Sequence, residues 1–313
     1  GENKTNENAS DAYFQSVRCY SSTDLAHWTL LADALTRQAG GDLGPDRIVE
    51  RPKVIYNDAT GKYVMYMHID TPGYGTGKVG VATSVSVSGP YTYLGSFKPL
   101  GLQSWDMNLF KDDDGTAYLL THAGDGHLHI DRLSADYLSV VSSVAALQPN
   151  YEAPAIFKWD GHYYLFGSEL TGWNSNDNKY TTATNLAGPW SNWNLFAPAG
   201  SETFNSQTAC ILPVTGSRET TIMFMGDRWN SSDLGASTYV WLPLRVTDTN
   251  VWLLGYTNGW NLDPDTGSWT GNGSAPPEPP VTRASLADGK IARAYSWQSE
   301  HPVSFCNDGN ITA

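Results

Sequence analysis

The chain has 313 residues and a net charge of −13, with only 19 Lys and Arg and charged residues sparse at 16%, against 12% aromatics. That balance argues against disorder over most of the chain, and against nucleic acid or an anionic membrane as partner, because phosphate binding needs clustered Lys and Arg. Apolar runs fall short of the roughly 20 residues of a membrane span, and abundant Trp and Tyr suit a neutral, hydroxyl-rich ligand.

No signal peptide opens the chain, and GENKTNENAS reads as the interior of a protein. Tyr20 to Trp28, YSSTDLAHW, is the first copy of a unit in which a strand ends in Ser or Thr, a short polar turn follows and an aromatic begins the next strand. It returns from Ala82 to Tyr93 and from Ala183 to Trp193. A second hairpin also repeats. Glu50 leads through an apolar run to Gly61 and KYVMYM, Asp106 to Gly115 and TAYLL, Glu152 to the Asp160-Gly161 turn and HYYLF, and Gln207 to Gly216 and TTIMFM. Aspartate-glycine between alternating apolar runs is a hairpin signal. Alternation as in Tyr63 to Met67 favours strands, and convincing helical periodicity is absent.

From each polar head residue to its turn glycine the separations are 11, 9, 9 and 9 residues, and successive heads lie 56, 46 and 55 apart. Periods near 50 with four short strands per unit predict a β-propeller. In that architecture the innermost strands line a central channel, so Glu50, Asp106, Glu152 and Gln207, read as equivalent positions, should face one pocket. Residues 1 to 35 supply only an outer hairpin, which leaves the first blade incomplete. The expected organisation is an all-β, five-bladed β-propeller over residues 1–270, a Pro/Gly/Ser linker over 271–283 and a C-terminal fragment over 284–313.

Asn-X-Ser/Thr sequons at Asn3, Asn8, Asn230, Asn272 and Asn310 suggest a secreted, glycosylated chain. Cys19, Cys210 and Cys306 are too widely spaced for a zinc site and read as buried thiols, or as one disulfide and one orphan. The seven His form no metal-binding pattern; His122, His127 and His129 lie near the third-blade turn, but a hard cation asks for oxygens, and no metal or other cofactor is expected.

Carboxylates converging in an aromatic, poorly charged pocket match glycoside hydrolysis, which needs one protonated acid and a second group that activates water or attacks. Crowding and desolvation raise a carboxyl pKa and supply the acid. The bland alternative is that each acid is a blade-edge residue binding backbone amides. With these residues in view the chain resembles glycoside hydrolase family 43, and its exo-β-1,3-galactanase branch in particular, through VERPKVIYN, KVGVATSVSVSGPYTYLGSFKPLG, the acid-led EAP segment, FNSQTACILP, MGDRW and YVWLPL over roughly residues 14–260.

The resemblance implies a five-bladed propeller that removes galactose from the non-reducing end of β-1,3-galactan with inversion. Glu152 would be the general acid, Asp106 the neighbour that orients it and tunes its pKa, and Gln207 the holder of the attacking water. Glu50, Tyr74, Thr171, Trp173, Asp227, Arg228 and Trp229 would contact substrate, with Glu2 as a further candidate. Trp173 and Trp229 could instead pack between blades, and Asp227 with Arg228 could be a structural ion pair. The expected partner is the polysaccharide, taken by a monomer. A related arabinofuranosidase or xylosidase, and a galactan-binding propeller without turnover, are the alternatives.

Overall fold

The computed structural model describes residues 2–3, 13–253, 255–257 and 259–271. The expected linker beyond residue 271 and the fragment 284–313 lie outside the described residues, as does the Glu2 side chain. Every strand pairing is antiparallel. A first sheet holds β1 (Glu2–Asn3), β2 (Ser16–Ser21) and β3 (Thr29–Thr36), one short strand more than the outer hairpin expected from sequence. Four four-stranded sheets follow in a propeller-like arrangement. They are β4 (Ile48–Asn57), β5 (Lys62–Asp70), β6 (Lys78–Ser84) and β7 (Thr92–Phe97); β8 (Ser104–Lys111), β9 (Ala117–Ala123), β10 (Leu128–Leu133) and β11 (Val140–Leu147); β12 (Glu152–Trp159), β13 (His162–Ser168), β14 (Lys179–Ala183) and β15 (Asn194–Leu195); and β16 (Gln207–Thr215), β17 (Thr220–Arg228), β18 (Thr238–Thr247) and β19 (Asn250–Leu253). A small hairpin, β20 (Trp260–Asp263) and β21 (Ser268–Gly271), adjoins β17.

The apolar runs of the second strands have a direct cause. In β5, Met65 and Met67 enter the core shared with the first sheet, while Val64 and Tyr66 enter the core shared with the sheet that follows. Likewise Tyr164 and Phe166 of β13 pack toward the last four-stranded sheet, and Tyr163 and Leu165 toward the preceding one. Side chains alternate across a strand, so a sheet buried on both faces has no polar face left to show. A buried cluster thus fills each of the four junctions between successive sheets. Where the first and last of these five sheets approach, Trp28 meets Trp241 edge-on at 5.6 Å.

The strands that lead each four-stranded sheet, β4, β8, β12 and β16, neighbour one another. Buried Asn108 fastens three of them: its Nδ2 donates to the carbonyls of Pro154 (2.9 Å) and Ala209 (3.1 Å). The hairpin after β12 closes as its sequence predicts, with Trp159 opposite His162 and both Asp160 (φ 47°) and Gly161 (φ 74°) left-handed, the geometry of a type I′ turn. Among the described residues, three single 3-10 turns aside, the segment with helical hydrogen bonding is Glu202–Asn205, which has φ of 51° to 59° throughout and is a left-handed turn.

Candidate active site

The leading strands share a device at the end where they open onto a cavity of about 1010 Å³. In β4, pairing runs from Glu50 opposite His68 to Lys53 opposite Tyr66, with Arg51 and Pro52 in a bulge; in β12 it runs from Glu152 opposite Ser168 to Ala155 opposite Phe166, with Ala153 and Pro154 bulged. Arg51 (φ 52°) and Ala153 (φ 53°) are both left-handed without being glycine. Backbone strain of this kind costs on the order of 1–3 kcal/mol per residue and gathers at functional sites, and bulges re-aim side chains. In β16 the register shifts between Thr208 and Cys210, and Gln207, opposite Asp227, stands three residues before Cys210, opposite Met225. These are the same offsets that relate Glu50 to Lys53 and Glu152 to Ala155, so Gln207 is their true counterpart. In β8 that counterpart is Ser104, opposite Ala123, and Asp106 lies two residues further on, inside the bulge. The sequence reading of Asp106 as a fourth equivalent head is therefore corrected: it reaches the pocket by the bulge, not by the repeat.

Arg51 is the hub of the site. Its Nε and Nη2 donate to the two carboxylate oxygens of Asp106, each at 2.9 Å, its Nη1 to Asp227 at 3.0 Å and its Nη2 also to Oε1 of Gln207 at 2.5 Å. The guanidinium lies 5.6 Å from the centroid of the Trp229 ring. Burial opposes its charge, but Asp106 and Asp227 more than offset this and hold it protonated. Asp106 also accepts from the Ala153 backbone N–H at 3.0 Å, which ties the bulge of β8 to that of β12.

Glu152 accepts at Oε1 from Nε2 of Gln207 (2.9 Å), so in the acid form the proton belongs on Oε2. Burial first, and the negative charge of Asp106 second, push its pKa up to about 8, against the lowering pull of Arg51 and of the Gln207 hydrogen bond. A carboxyl so placed is protonated at neutral pH and can donate, the property a general acid requires. The Gln207 amide is fully engaged: its Nε2 donates to Glu152 and Ser168, and its Oε1 accepts from Arg51 and from Nε1 of Trp229 (2.9 Å).

Glu50 stands in a different corner. It accepts from the Tyr74 hydroxyl at 2.8 Å and pairs with Nδ1 of His68 at 3.4 Å, while Nε2 of His68 meets Asp70 at 3.0 Å. Burial alone would lower the His68 pKa; the hydrogen bond to Asp70 and the neighbouring Glu50 carboxylate reverse this and raise it to about 9. Asp70 in turn accepts from the backbone amides of Thr71, Thr76 and Gly77 and shapes the loop that carries Tyr74. Trp105 pins the same loop by donating Nε1 to the Tyr74 carbonyl at 3.1 Å.

The chain leading into Gln207 is strained. Four successive left-handed residues, Glu202 to Asn205, cost roughly 1–2 kcal/mol each. They are held by Asp177, which accepts from the amides of Gly200 and Glu202, and by Arg228, which donates to the carbonyls of Phe204 (2.6 Å) and Asn205 (3.2 Å). Asn178 N–H adds a bond to Thr203 Oγ1 at 2.8 Å. This scaffold fixes where β16 begins.

The family model for "Glycosyl hydrolases family 43" matches residues 7–207. The chain belongs to glycosyl hydrolase family 43. Solved structures similar to it include an exo-β-1,3-galactanase from Phanerochaete chrysosporium, bound to β-1,3-galactotriose, at 40% identity and a TM-score of 0.82 over 87% of this chain and 63% of that one. Another is an exo-β-1,3-galactanase from Clostridium thermocellum, at 35% identity and a TM-score of 0.81 over 87% of this chain and 61% of that one. A curated relative, a xylan 1,3-β-xylosidase from a Vibrio species, is 26% identical over 50% of this chain and 32% of its own length. The chain therefore spans about a third of that curated relative and under two thirds of the two galactanases.

Within this family 43 chain the cavity wall gathers Glu152, Asp106, Gln207, Glu50, Tyr74, Trp173, Asp227 and Trp229. Two expected substrate contacts are placed elsewhere. Thr171 is spent inside its loop, donating to the Asn174 carbonyl and accepting from Asn176, while its neighbours Gly172 and Trp173 reach the wall. Arg228 supports the left-handed turn and lies 5.6 Å from the Tyr256 ring centroid. Asp227 pairs with Arg51, not with Arg228. Trp173 and Trp229 meet edge-on at 5.4 Å at the cavity, so packing and exposure to ligand are not exclusive.

Sequence reasoning missed Arg51, His68, Trp105, His122 and Tyr239, all on the wall. A signal for Arg51 was present: acids that converge in a poorly solvated pocket need a counter-charge, and Arg51 is the cation adjacent to a head residue. Cys19 and Cys210 are free thiols, and Cys306 lies outside the described residues.

Proposed function

We propose that this family 43 chain is the propeller of a glycosidase that releases galactose from the non-reducing end of β-1,3-galactan, as in arabinogalactan, with inversion. The observation that carries the reading is Glu152, a carboxyl held protonated at neutral pH on the wall of an aromatic-lined cavity. Its likeness to exo-β-1,3-galactanases, at 35–40% identity over 87% of the chain, favours galactose over xylose or arabinose. Glu152 delivers its proton to the leaving oxygen, and Arg51 holds Asp106 where its charge keeps Glu152 protonated. Glu50 with Tyr74, and the faces of Trp173 and Trp229, bind the sugar. Gln207 holds the attacking water by giving up one of its four hydrogen bonds as substrate enters. The first sheet, with its three strands, is the first of five blades. The chain acts as a secreted monomer, a reading supported by its sequons; a shift in mass on deglycosylation and a sedimentation run check both.

The test is hydrolysis of β-1,3-galactotriose by the full protein and by Glu152→Gln. The reading expects galactose release by the first alone, with α-galactose as the initial anomer by NMR. Undiminished release by Glu152→Gln, or initial β-galactose, overturns it. The fully engaged Gln207 amide favours a second reading, a galactan-binding propeller without turnover. Binding of galactobiose without hydrolysis would establish that one, and a screen on aryl xylosides and arabinofuranosides separates the related glycosidases.

A further inference from the structure

We infer that Asp125, His127 and His129 form a binding site for a borderline divalent transition metal of the zinc class, on the turn at the edge of the cavity. Strand β10 alternates strictly: Leu128 and Ile130 enter the core between neighbouring sheets, which sends His129 and Asp131 to the opposite face, and His127 continues that row one step earlier. Asp125 sits in the tight turn closed by Gly126 N–H to the Ala123 carbonyl. The donor atoms of all three residues lie within 4.8 Å of one another. Nε2 of His129 is 3.0 Å from one carboxylate oxygen of Asp125, and Nδ1 of His127 is 3.5 Å from the other.

The independent observation is Asp131. It is 2% exposed, and its Oδ1 has no hydrogen-bond partner, yet it lies 3.4 Å from Nδ1 of His129. A buried carboxylate behind the far nitrogen of an imidazole is the arrangement that fixes a metal-binding tautomer, with Nδ1 carrying the proton and Nε2 left to bind. Two imidazoles and one carboxylate suit zinc, nickel or copper and not calcium or magnesium, which prefer all-oxygen shells. Three protein ligands leave a fourth position for water. Ligand bonds of about 2.0–2.1 Å require donors closer than 4.8 Å, and His127, with its side chain 35% exposed, is placed to close the gap. The turn bearing the site also supplies Ala123, Gly124 and Gly126 to the cavity wall, so a bound ion would stiffen that wall.

Calorimetric titration of the EDTA-treated full chain with Zn²⁺, and the visible spectrum of the Co²⁺ form, test this. The expected result is one saturable site. Asp125→Asn and His127→Ala, at an exposed and a half-buried turn position, should each weaken it at least about tenfold while leaving the melting temperature in EDTA unchanged. Asp131→Asn should weaken it roughly 10–100-fold without removing a ligand. Zn²⁺ binding that Asp125→Asn and His127→Ala leave unchanged, no saturable binding, or preference for Ca²⁺ would each overturn the site.

Discussion

Glu50 and Glu152 occupy the same register position on equivalent strands, each followed by a left-handed residue and a proline in a bulge. They differ in the residue across the strand pair. His68 stands opposite Glu50 and faces it with Nδ1 while Nε2 meets Asp70, whereas Ser168 stands opposite Glu152 and serves Gln207 as an acceptor. One corner therefore stabilises a cation beside its acid; the other keeps its acid neutral by burial and by the charge of Asp106. Position in the repeat brings a carboxyl to the cavity, and its surroundings there differ: a protonated His68 beside Glu50, burial and the Asp106 charge around Glu152.

The sharpest way to break this contrast is to neutralise each acid in turn. Glu152→Gln should lower kcat on β-1,3-galactotriose about 10²–10⁴-fold, the range for losing a general acid. Glu50→Gln should act mainly on KM, with kcat falling less than about tenfold, because the role proposed for Glu50 is hydroxyl binding and not proton delivery. Equal losses of kcat in the two variants would erase the distinction.

Removing the hub comes next. Arg51→Met leaves Asp106 and Asp227 without their cation, and breaking a buried pair from one side costs roughly 3–5 kcal/mol. The melting temperature should fall by on the order of 10 °C. Asp106→Asn is milder in its effect on activity and has a definite sign. It deletes the charge that helps hold Glu152 protonated and leaves the lowering pull of Arg51 in place. The alkaline limb of the kcat profile, expected near pH 8, should move toward lower pH, and a shift the other way would refute the assignment.

The sheets and their sequence of hairpins were legible because period-2 alternation and turn glycines are local signals, as at Asp160-Gly161. Glu152, Gln207 and Glu50 were legible because the repeat fixes their register. Asp106 was found for a partly wrong reason. Its sequence spacing imitates a head residue, while the bulge that delivers it depends on pairing with β9, a tertiary fact. Arg51 and Arg228 show the same limit from opposite sides: a bulge points the first into the pocket, and the second, in a motif that reads as a site, is consumed by the carbonyls of Phe204 and Asn205, the last two of four left-handed residues. Left-handed backbone at Glu202 and Phe204 has no sequence signature, since neither glycine nor, except at Asn205, asparagine marks it.

The smallest predicted effect separates the two corners by pH alone. The Glu152 pKa rises on folding from 4.5 to about 8, so its contribution to stability is full below pH 4.5 and is lost as pH rises through 8. The His68 pKa rises from 6.5 to about 9, so its contribution is full below pH 6.5 and is lost as pH rises through 9. Both therefore destabilise the fold with rising pH, but over windows that only partly overlap. Between pH 4.5 and 6.5 the decline in melting temperature from these two groups belongs to Glu152, and Glu152→Gln should flatten it. Between pH 8 and 9 it belongs to His68. His68→Gln should be less stable than the parent by on the order of 1–3 kcal/mol at pH 6, with the gap narrowing toward pH 9. If His68→Gln instead flattened the acidic window, the proton now assigned to Glu152 would belong to the other corner.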